Sequence, residues 1–338
     1  MKPPYRVPSA CKKQTSAALS ALVLSSLAGC RGVQSTLWPQ GPAAQAISDI
    51  GWVMFAGAAV ILLLVMALAL YAIFRIPEKR LPVSANALIA VGGVGLPVVT
   101  LTALLIYGVI AMGYLRAGAD DPDVQIEVIG NQWWWDVHYR GGGQTVATAN
   151  EIHIPAGVPV KISVRTRDVI HSFWVPNLAG KIDLIPGRIN HIVLQADRPG
   201  MFRGQCAEFC GAQHARMAFV VIAEPADVYA AWLARQRQPA ATPANAAIAR
   251  GRDAFSASGC MVCHTVRGVG VAQQAGPDLT HVASRKYLAA GTLENNRANL
   301  IEVIARSQTV KPGNRMPSYP DLDKKSLDAI ASYLESLQ

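Results

Sequence analysis

Charged side chains are scarce in this chain. Asp, Glu, Lys and Arg make up 16% of its 338 residues, and two long stretches, residues 50–74 and 87–115, contain none. Hydrophobic residues reach 51%. That balance leans toward a membrane protein with soluble parts, and the length leaves room for two ordinary domains plus membrane segments. A stripe of basic residues interleaved with aromatics is also missing, so the net charge of +9 does not mark a nucleic-acid binder. Nor is the charge evenly spread. Residues 120–223 hold nine Lys/Arg against ten Asp/Glu, and the segment from Ala247 onward holds eleven against eight. Much of the excess therefore lies at the N-terminus and beside the membrane, where positive charge sets topology. Histidine is sparse as well. With seven in all, and those outside the motifs scattered, the chain cannot build a further histidine-rich metal cluster.

What is present begins with a bacterial export signal over residues 1–29. A basic start (Lys2, Arg6, Lys12, Lys13) precedes an apolar stretch, Ala17–Ala28, and then small residues. The stretch ends Leu27-Ala28-Gly29-Cys30, which resembles a lipoprotein signal box and implies cleavage before Cys30 and a lipid on its thiol. A plain signal or an uncleaved leader is the alternative. Residues 30–118 are expected to form a membrane hairpin with spans at about 50–74 and 87–115, each long enough to cross roughly 30 Å of hydrocarbon. Gly92, Gly93, Gly95 and Pro97 in the second span are tolerable where a neighbouring helix covers the freed backbone. The basic turn Arg75-Ile76-Pro77-Glu78-Lys79-Arg80 belongs on the cytoplasmic side, which turns everything after residue 118 outward.

Residues 119–224 change to short alternating strands, among them Val124–Ile129, Asn150–Ile154, Val158–Val164 and Ile189–Leu194. Turn residues such as Pro155, Gly157, Pro186 and Gly187 separate them, as an all-β sandwich or barrel requires. Within this region lies Cys206-x-Glu208-x-Cys210-x-x-x-His214-x-x-Met217, on a loop between the last two strands. Thiolate, imidazole and thioether together select copper. A mononuclear site uses one cysteine, whereas two could bridge a pair of copper ions. His171 is the best candidate for a second imidazole. A Cys206–Cys210 disulfide is the bland alternative in an exported protein.

At this point a resemblance is close. Asn131-Gln132-Trp133-Trp134-Trp135, His171-Ser172-Phe173-Trp174-Val175-Pro176, Asp183-Leu184-Ile185-Pro186-Gly187-Arg188 and Gly204-Gln205-Cys206-Ala207-Glu208-Phe209-Cys210-Gly211 resemble cytochrome c oxidase subunit II in family order. The resemblance implies a cupredoxin-like barrel in which His171, Cys206, Cys210, His214 and Met217 ligate a binuclear copper centre. Glu208 would add its backbone carbonyl, and its carboxylate would help hold a magnesium ion against subunit I. Trp133 would be the tryptophan through which electrons enter, an exposed indole facing a haem edge. At least one of Trp134 and Trp135 is expected to pack in the core, since alternate strand residues face opposite sides. Two departures stand out. The glutamate that many members carry near the start of the second span is missing from Ser84-Ala85-Asn86-Ala87-Leu88, and the copper domain is only weakly acidic.

Residues 225–246 read as a helix, Ala226–Arg237, followed by a Pro/Ala linker that is semi-rigid. Residues 247–338 then carry Cys260-Met261-Val262-Cys263-His264, the C-x-x-C-H pattern of covalent haem attachment, with His264 as proximal ligand. Only Met261 and Met316 remain in this segment, and Met261 is locked between the cysteines. Met316 is therefore the distal ligand unless the iron uses His281 or stays open. A final amphipathic helix, Lys324–Leu337, should pack on the first helix, Ala247–Ser258. The segment resembles class I cytochrome c, an all-α domain. His138, His153, His191 and His281 lack partners at ligand spacing and are expected at surface or strand positions.

These readings describe a multi-domain bacterial inner-membrane protein whose soluble parts lie on the periplasmic face. The resemblance implies an electron-transfer subunit of a terminal oxidase. Its donor would be a quinol–cytochrome c reductase or a soluble or membrane cytochrome c, and oxygen reduction would lie on subunit I. A quinol oxidase scaffold would have lost the copper ligands retained here. The alternative is the electron-accepting subunit of a copper-dependent nitric oxide reductase.

Overall fold

A run of apolar residues with proline at its start and no internal breaker builds one long helix. In the computed structural model, which describes residues 32–76, 84–117, 122–141, 145–270 and 275–338, helix α1 spans Pro42–Phe74. Its 33 residues exceed what a bilayer core needs at about 1.5 Å per residue. The surplus is used: Ala44 and Ser48 in the first turns are buried, and Ala44 N–H donates to Leu178 O at 3.1 Å. Gly41, just before the helix, approaches the soluble domain so closely that a Cβ would lie 2.1 Å from Gln195 O. Helix α2 (residues 85–117) runs Ala85–Leu88, then a π-helical stretch Ile89–Gly95, then Leu96–Ala117. The wide turn falls where three glycines meet Pro97, whose ring and missing N–H disfavour a regular turn before it. The apolar windows of both helices face outward, with none of their residues buried. Cys30 and most of the basic turn between the helices lie outside the described residues.

The next segment forms two five-stranded sheets packed face to face, in the order β3-β2-β1-β5-β8 and β4-β10-β9-β6-β7. These strands are β1 Val124–Asn131, β2 Trp134–Arg140, β3 Val146–Ala149, β4 Glu151–Pro155, β5 Val160–Thr166, β6 His171–Trp174, β7 Ile182–Leu184, β8 Asn190–Leu194, β9 Gly200–Cys206 and β10 Ala218–Glu224. Alternation sets which residues enter the core: Val160, Ile162 and Val164 of β5 are fully buried while their neighbours are not. The parallel partner β1 matches Ile126 to Ile162 and Val128 to Val164. Trp135 centres the core, edge-on to Phe219 at 5.2 Å and to Phe173 at 6.1 Å. Aromatic pairs of this kind add about 0.5–1.5 kcal/mol beyond their area.

Helix α3 (Ala226–Gln236) returns along the sandwich, with Trp232 stacked on the His153 ring at 4.0 Å. The Pro/Ala segment after it does not swing free, since Ala240 N–H donates to Arg267 O at 2.8 Å and His281 bonds Gln238 O at 3.0 Å. The last domain is helical: α4 Ala246–Ala257, α5 Arg297–Ala305, α6 Ser307–Val310 and α7 Lys324–Glu335. Asn245, Asn296 and Asp323 cap three of these helices through their side-chain oxygens. Helices α4 and α7 cross at Gly251, where a Cβ would sit 2.1 Å from Ala329 O. A two-strand ladder, β11 Tyr287–Leu288 with β12 Leu293–Glu294, completes the domain.

Candidate metal centre and adjoining cavity

The loop from β9 to β10 folds back so that its sulfur atoms meet the ring of His171 at the start of β6. Cys206 and Cys210 are free thiols with their Sγ atoms 3.7 Å apart. His171 Nδ1 lies 3.8 Å from Cys206 Sγ, His214 Nδ1 3.7 Å from Cys210 Sγ, and Met217 Sδ 3.8 Å from Cys210 Sγ. The Glu208 carbonyl is 3.2 Å from Cys206 Sγ. His171, Cys206 and Cys210 form a buried metal-capable group among the described residues. Sulfurs at this spacing can share metal ions at ordinary metal–thiolate distances of about 2.3 Å. The soft donors fit copper, with an imidazole and a thioether left for the flanks.

Electrostatics prepare the group for a cation. The contact with Cys210 favours the Cys206 thiolate and lowers its pKa. The same contact, with burial, raises that of Cys210. A bound cation would favour the thiolate form of both. Burial opposes charge on His171, but bonds to Asp168 and Cys206 outweigh it and raise its pKa. Asp168, which sequence reasoning missed, binds His171 Nε2 at 2.8 Å and so leaves Nδ1 aimed at the sulfurs. Its place three residues before His171 is the one local signal. Asp168 also accepts the Gln132 N–H at 2.7 Å, tying the turn before the β2 tryptophans to the start of β6.

The Glu208 carboxylate points away from the sulfurs to Lys181, which also bonds Asp183 at 3.3 Å. Trp135 is in the core, Trp134 lines a cavity, and Trp133 is 9% exposed. The exposed indole expected at Trp133 is therefore corrected: the helical domain covers it. Trp133 Nε1–H donates to Cys210 O at 2.9 Å. His153 takes a strand position on β4, as expected, and is buried there between Glu151 and Glu224, at 3.0 and 2.9 Å. One histidine differs from expectation. His281 is buried, outside any strand, bonded to Gln238 O and Gln338 O.

Beyond Trp133 opens an apolar cavity of about 240 Å³. Cys260, Cys263, His264 and Met316 line it from the helical domain, and Trp133 and Trp134 from the sandwich. His264 Nδ1 is bonded to Pro277 O at 2.8 Å, so its other nitrogen is left for an iron. Burial lowers the pKa of His264, against that bond, and favours the neutral ligand form. The Met316 backbone is pinned from both sides: its N–H donates to Asn314 Oδ1 at 2.6 Å, and its carbonyl accepts from Ser307 Oγ and Gln308 Nε2, both at 2.7 Å. A flat apolar group with two thioether links, a nitrogen ligand and a sulfur ligand fits these walls. A porphyrin is such a group.

Converging sulfur and imidazole donors, set beside a cavity ringed by Cys, His and Met and carried on two outward-facing apolar helices, define a membrane-anchored electron-transfer protein. The family described as cytochrome c oxidase subunit II, periplasmic domain, matches residues 140–224, and the cytochrome c family matches residues 248–338. Cytochrome c oxidase subunit 2 of Alkalihalophilus pseudofirmus is 37% identical over 331 residues, 92% of this chain and 94% of that relative. Its counterpart in Bacillus sp. strain PS3 is 31% identical over 229 residues, 65% of this chain and 64% of that relative. Among solved structures, the periplasmic domain of subunit II of cytochrome oxidase from Bradyrhizobium japonicum is similar at 31% identity and a TM-score of 0.33, over 35% of this chain and 96% of that one. The chain belongs to the cytochrome c oxidase subunit 2 family. It is thus an oxidoreductase subunit with an electron-transfer role, it works with other oxidase subunits, and its two soluble domains imply copper and haem.

Proposed function

We propose that the chain accepts electrons from a cytochrome c or a quinol–cytochrome c reductase at its helical domain and passes them through the sandwich to subunit I, where oxygen is reduced. Bound copper and haem would supply the one-electron carriers. His171, Cys206, Cys210, His214, Met217 and the Glu208 carbonyl would hold the copper pair. Cys260, Cys263, His264 and Met316 would hold the haem. A sulfur ligand together with histidine would raise its potential, as suits a carrier late in a respiratory chain. The chain's own work is positioning. Asp168 holds the His171 tautomer, Gln132 and Trp133 both donate to Cys210 O, and the apolar cavity keeps water from the transfer path.

The observation that carries this reading is the double attachment of Trp133. Its ring lines the cavity that holds Cys263 and His264, and its N–H bonds the backbone of Cys210. One side chain thereby borders both candidate centres. At the opposite side of the loop, the Glu208 carboxylate would exchange Lys181 for a magnesium ion when subunit I docks. Cys30 would carry a lipid, and the hairpin would hold both soluble domains at the periplasmic face of the inner membrane.

The test is composition and spectroscopy of the full chain in its complex. Two copper ions and one covalent haem per chain are expected, with an electron paramagnetic resonance signal from one unpaired electron shared over both coppers. Zinc at the site, or a single-copper signal, would refute the binuclear assignment.

A further inference from the structure

We propose that Lys311 is a positioning residue that latches the helical domain onto the metal loop, so that Trp133 serves the chain's own haem cavity and is closed to soluble cytochromes. The inference deepens the function proposed above and rests on its route through Trp133. A lysine normally extends its amine to water. Lys311 does the reverse and is 6% exposed. Its Nζ donates to Trp133 O at 2.6 Å and Arg216 O at 3.0 Å in the sandwich, and to Ala289 O at 3.4 Å in its own domain. An ammonium has three donors, and all three find carbonyls. Burial lowers the pKa of Lys311 to about 7, a cost that a solvent-facing rotamer would avoid.

The neighbours of Lys311 engage the same loop. Arg216 donates to Val310 O at 2.8 Å, and Gln213 Nε2 to Pro312 O at 2.9 Å. Residues 310–312 therefore grip the stretch that contains His214 and leads to Met217. A Cβ at Gly313 would lie 3.7 Å from the Trp133 ring, so the backbone here passes directly over the indole. The grip also reaches the other side of the cavity. Asn314 Nδ2 donates to Lys311 O at 2.6 Å, and Asn314 Oδ1 accepts the Met316 N–H at 2.6 Å. One short segment thus fixes both the cover over Trp133 and the position of Met316.

The test uses Lys311→Met in the full complex, because Met keeps the stem and removes the donors. Two further backbone N–H groups donate across the domain boundary: Ala218 N–H to Ala290 O and Lys286 N–H to Glu151 Oε2. Hydrogen exchange at these two amides should rise about tenfold or more, the loss expected for a buried hydrogen bond to a charged group. Copper and iron content should stay at the unsubstituted level. Transfer from haem to copper after pulsed reduction should slow by a similar factor, and an added soluble cytochrome c should reduce copper ahead of the chain's own haem. If Lys311→Met fails to take up haem, Lys311→Gln, whose amide retains two donors, should show a smaller rise in exchange. Unchanged exchange at Ala218 and Lys286 in the variant that folds would overturn the latch. Raised exchange, in a complex whose unsubstituted form passes no electrons from haem to copper, would instead sink the route through Trp133 and leave the latch standing.

Discussion

Asp168 shows how much one residue outside the ligand set can control. Its carboxylate collects the Gln132 N–H, the Val169 N–H and His171 Nε2. Burial would raise its pKa, but these bonds outweigh burial and lower it. A depressed carboxylate pKa contributes stability above the ordinary value of 3.8, and that stability is lost as pH falls through the lower folded value. Asp168→Asn should keep the shape of the loop while weakening the hold on the His171 tautomer. Copper affinity, read by competition with a chelator, should fall about 10–100-fold; an unchanged affinity would show that His171 needs no such support. Among the candidate ligands, Met217→Leu should shift the copper potential more than the copper content, because a thioether is a weak ligand. Cys206→Ser should lose the pair outright. Equal copper retention in the two variants would contradict bridging by the cysteines.

At the scale of elements, packing at one glycine governs the helical domain. Gly251 lets α4 reach the Ala329 carbonyl of α7, and Phe255 meets Tyr333 at 5.8 Å across the same crossing. Gly251→Val would force the helices apart and should destabilise the domain by about 1–3 kcal/mol or more, seen as a lower denaturant midpoint for loss of the haem band. A midpoint equal to that of the parent would mean the crossing is looser than its geometry implies. The elements differ in how plainly their residues announced them. Strands β1 and β5 were legible because Val and Ile alternate along them. Strand β2 was not, because Trp135, Asp136 and Val137 are all buried and leave no period to read. Strand β9 is expected before the Cys206 loop but without bounds, because glycine at positions 200 and 204 interrupts its alternation. The convergence of Cys206, Cys210 and Met217 could be expected from their spacing, whereas Asp168 acts through a contact that spacing does not advertise. Lys311 is the extreme case: in sequence it reads as a solvated charge, and only the docking of two domains buries it.

Across the whole molecule the two soluble domains meet along two seams, one at Lys311 and one at a buried histidine. His153 lies between Glu151 and Glu224 and stacks on Trp232 of α3, and Glu151 also accepts the Lys286 N–H of the helical domain at 2.8 Å. A single imidazole therefore joins the sandwich, the connecting helix and, through Glu151, the helical domain. Burial disfavours its charge, but the two carboxylates prevail and raise its pKa above 6.5. The sign follows from linkage. A histidine whose folded pKa is raised contributes stability that is fully present below the unfolded value of 6.5 and is lost as pH rises through the folded value. Raising the pH above 6.5 should therefore loosen the second seam while leaving the candidate ligands in place. Exchange at the Lys286 amide, corrected for its intrinsic pH dependence, should increase through that interval, and Trp232 emission should change with it. His153→Gln can still bond one carboxylate but cannot carry the proton, so it should abolish the pH step and sit at the loosened level throughout. A step that persists in His153→Gln would assign the pH response to another group, with His171, whose pKa is also raised, the first to examine. Because both seams join the same two domains, Lys311→Met combined with His153→Gln should raise exchange at Lys286 above that of either single variant; a double variant no different from Lys311→Met alone would show that the His153 seam adds nothing.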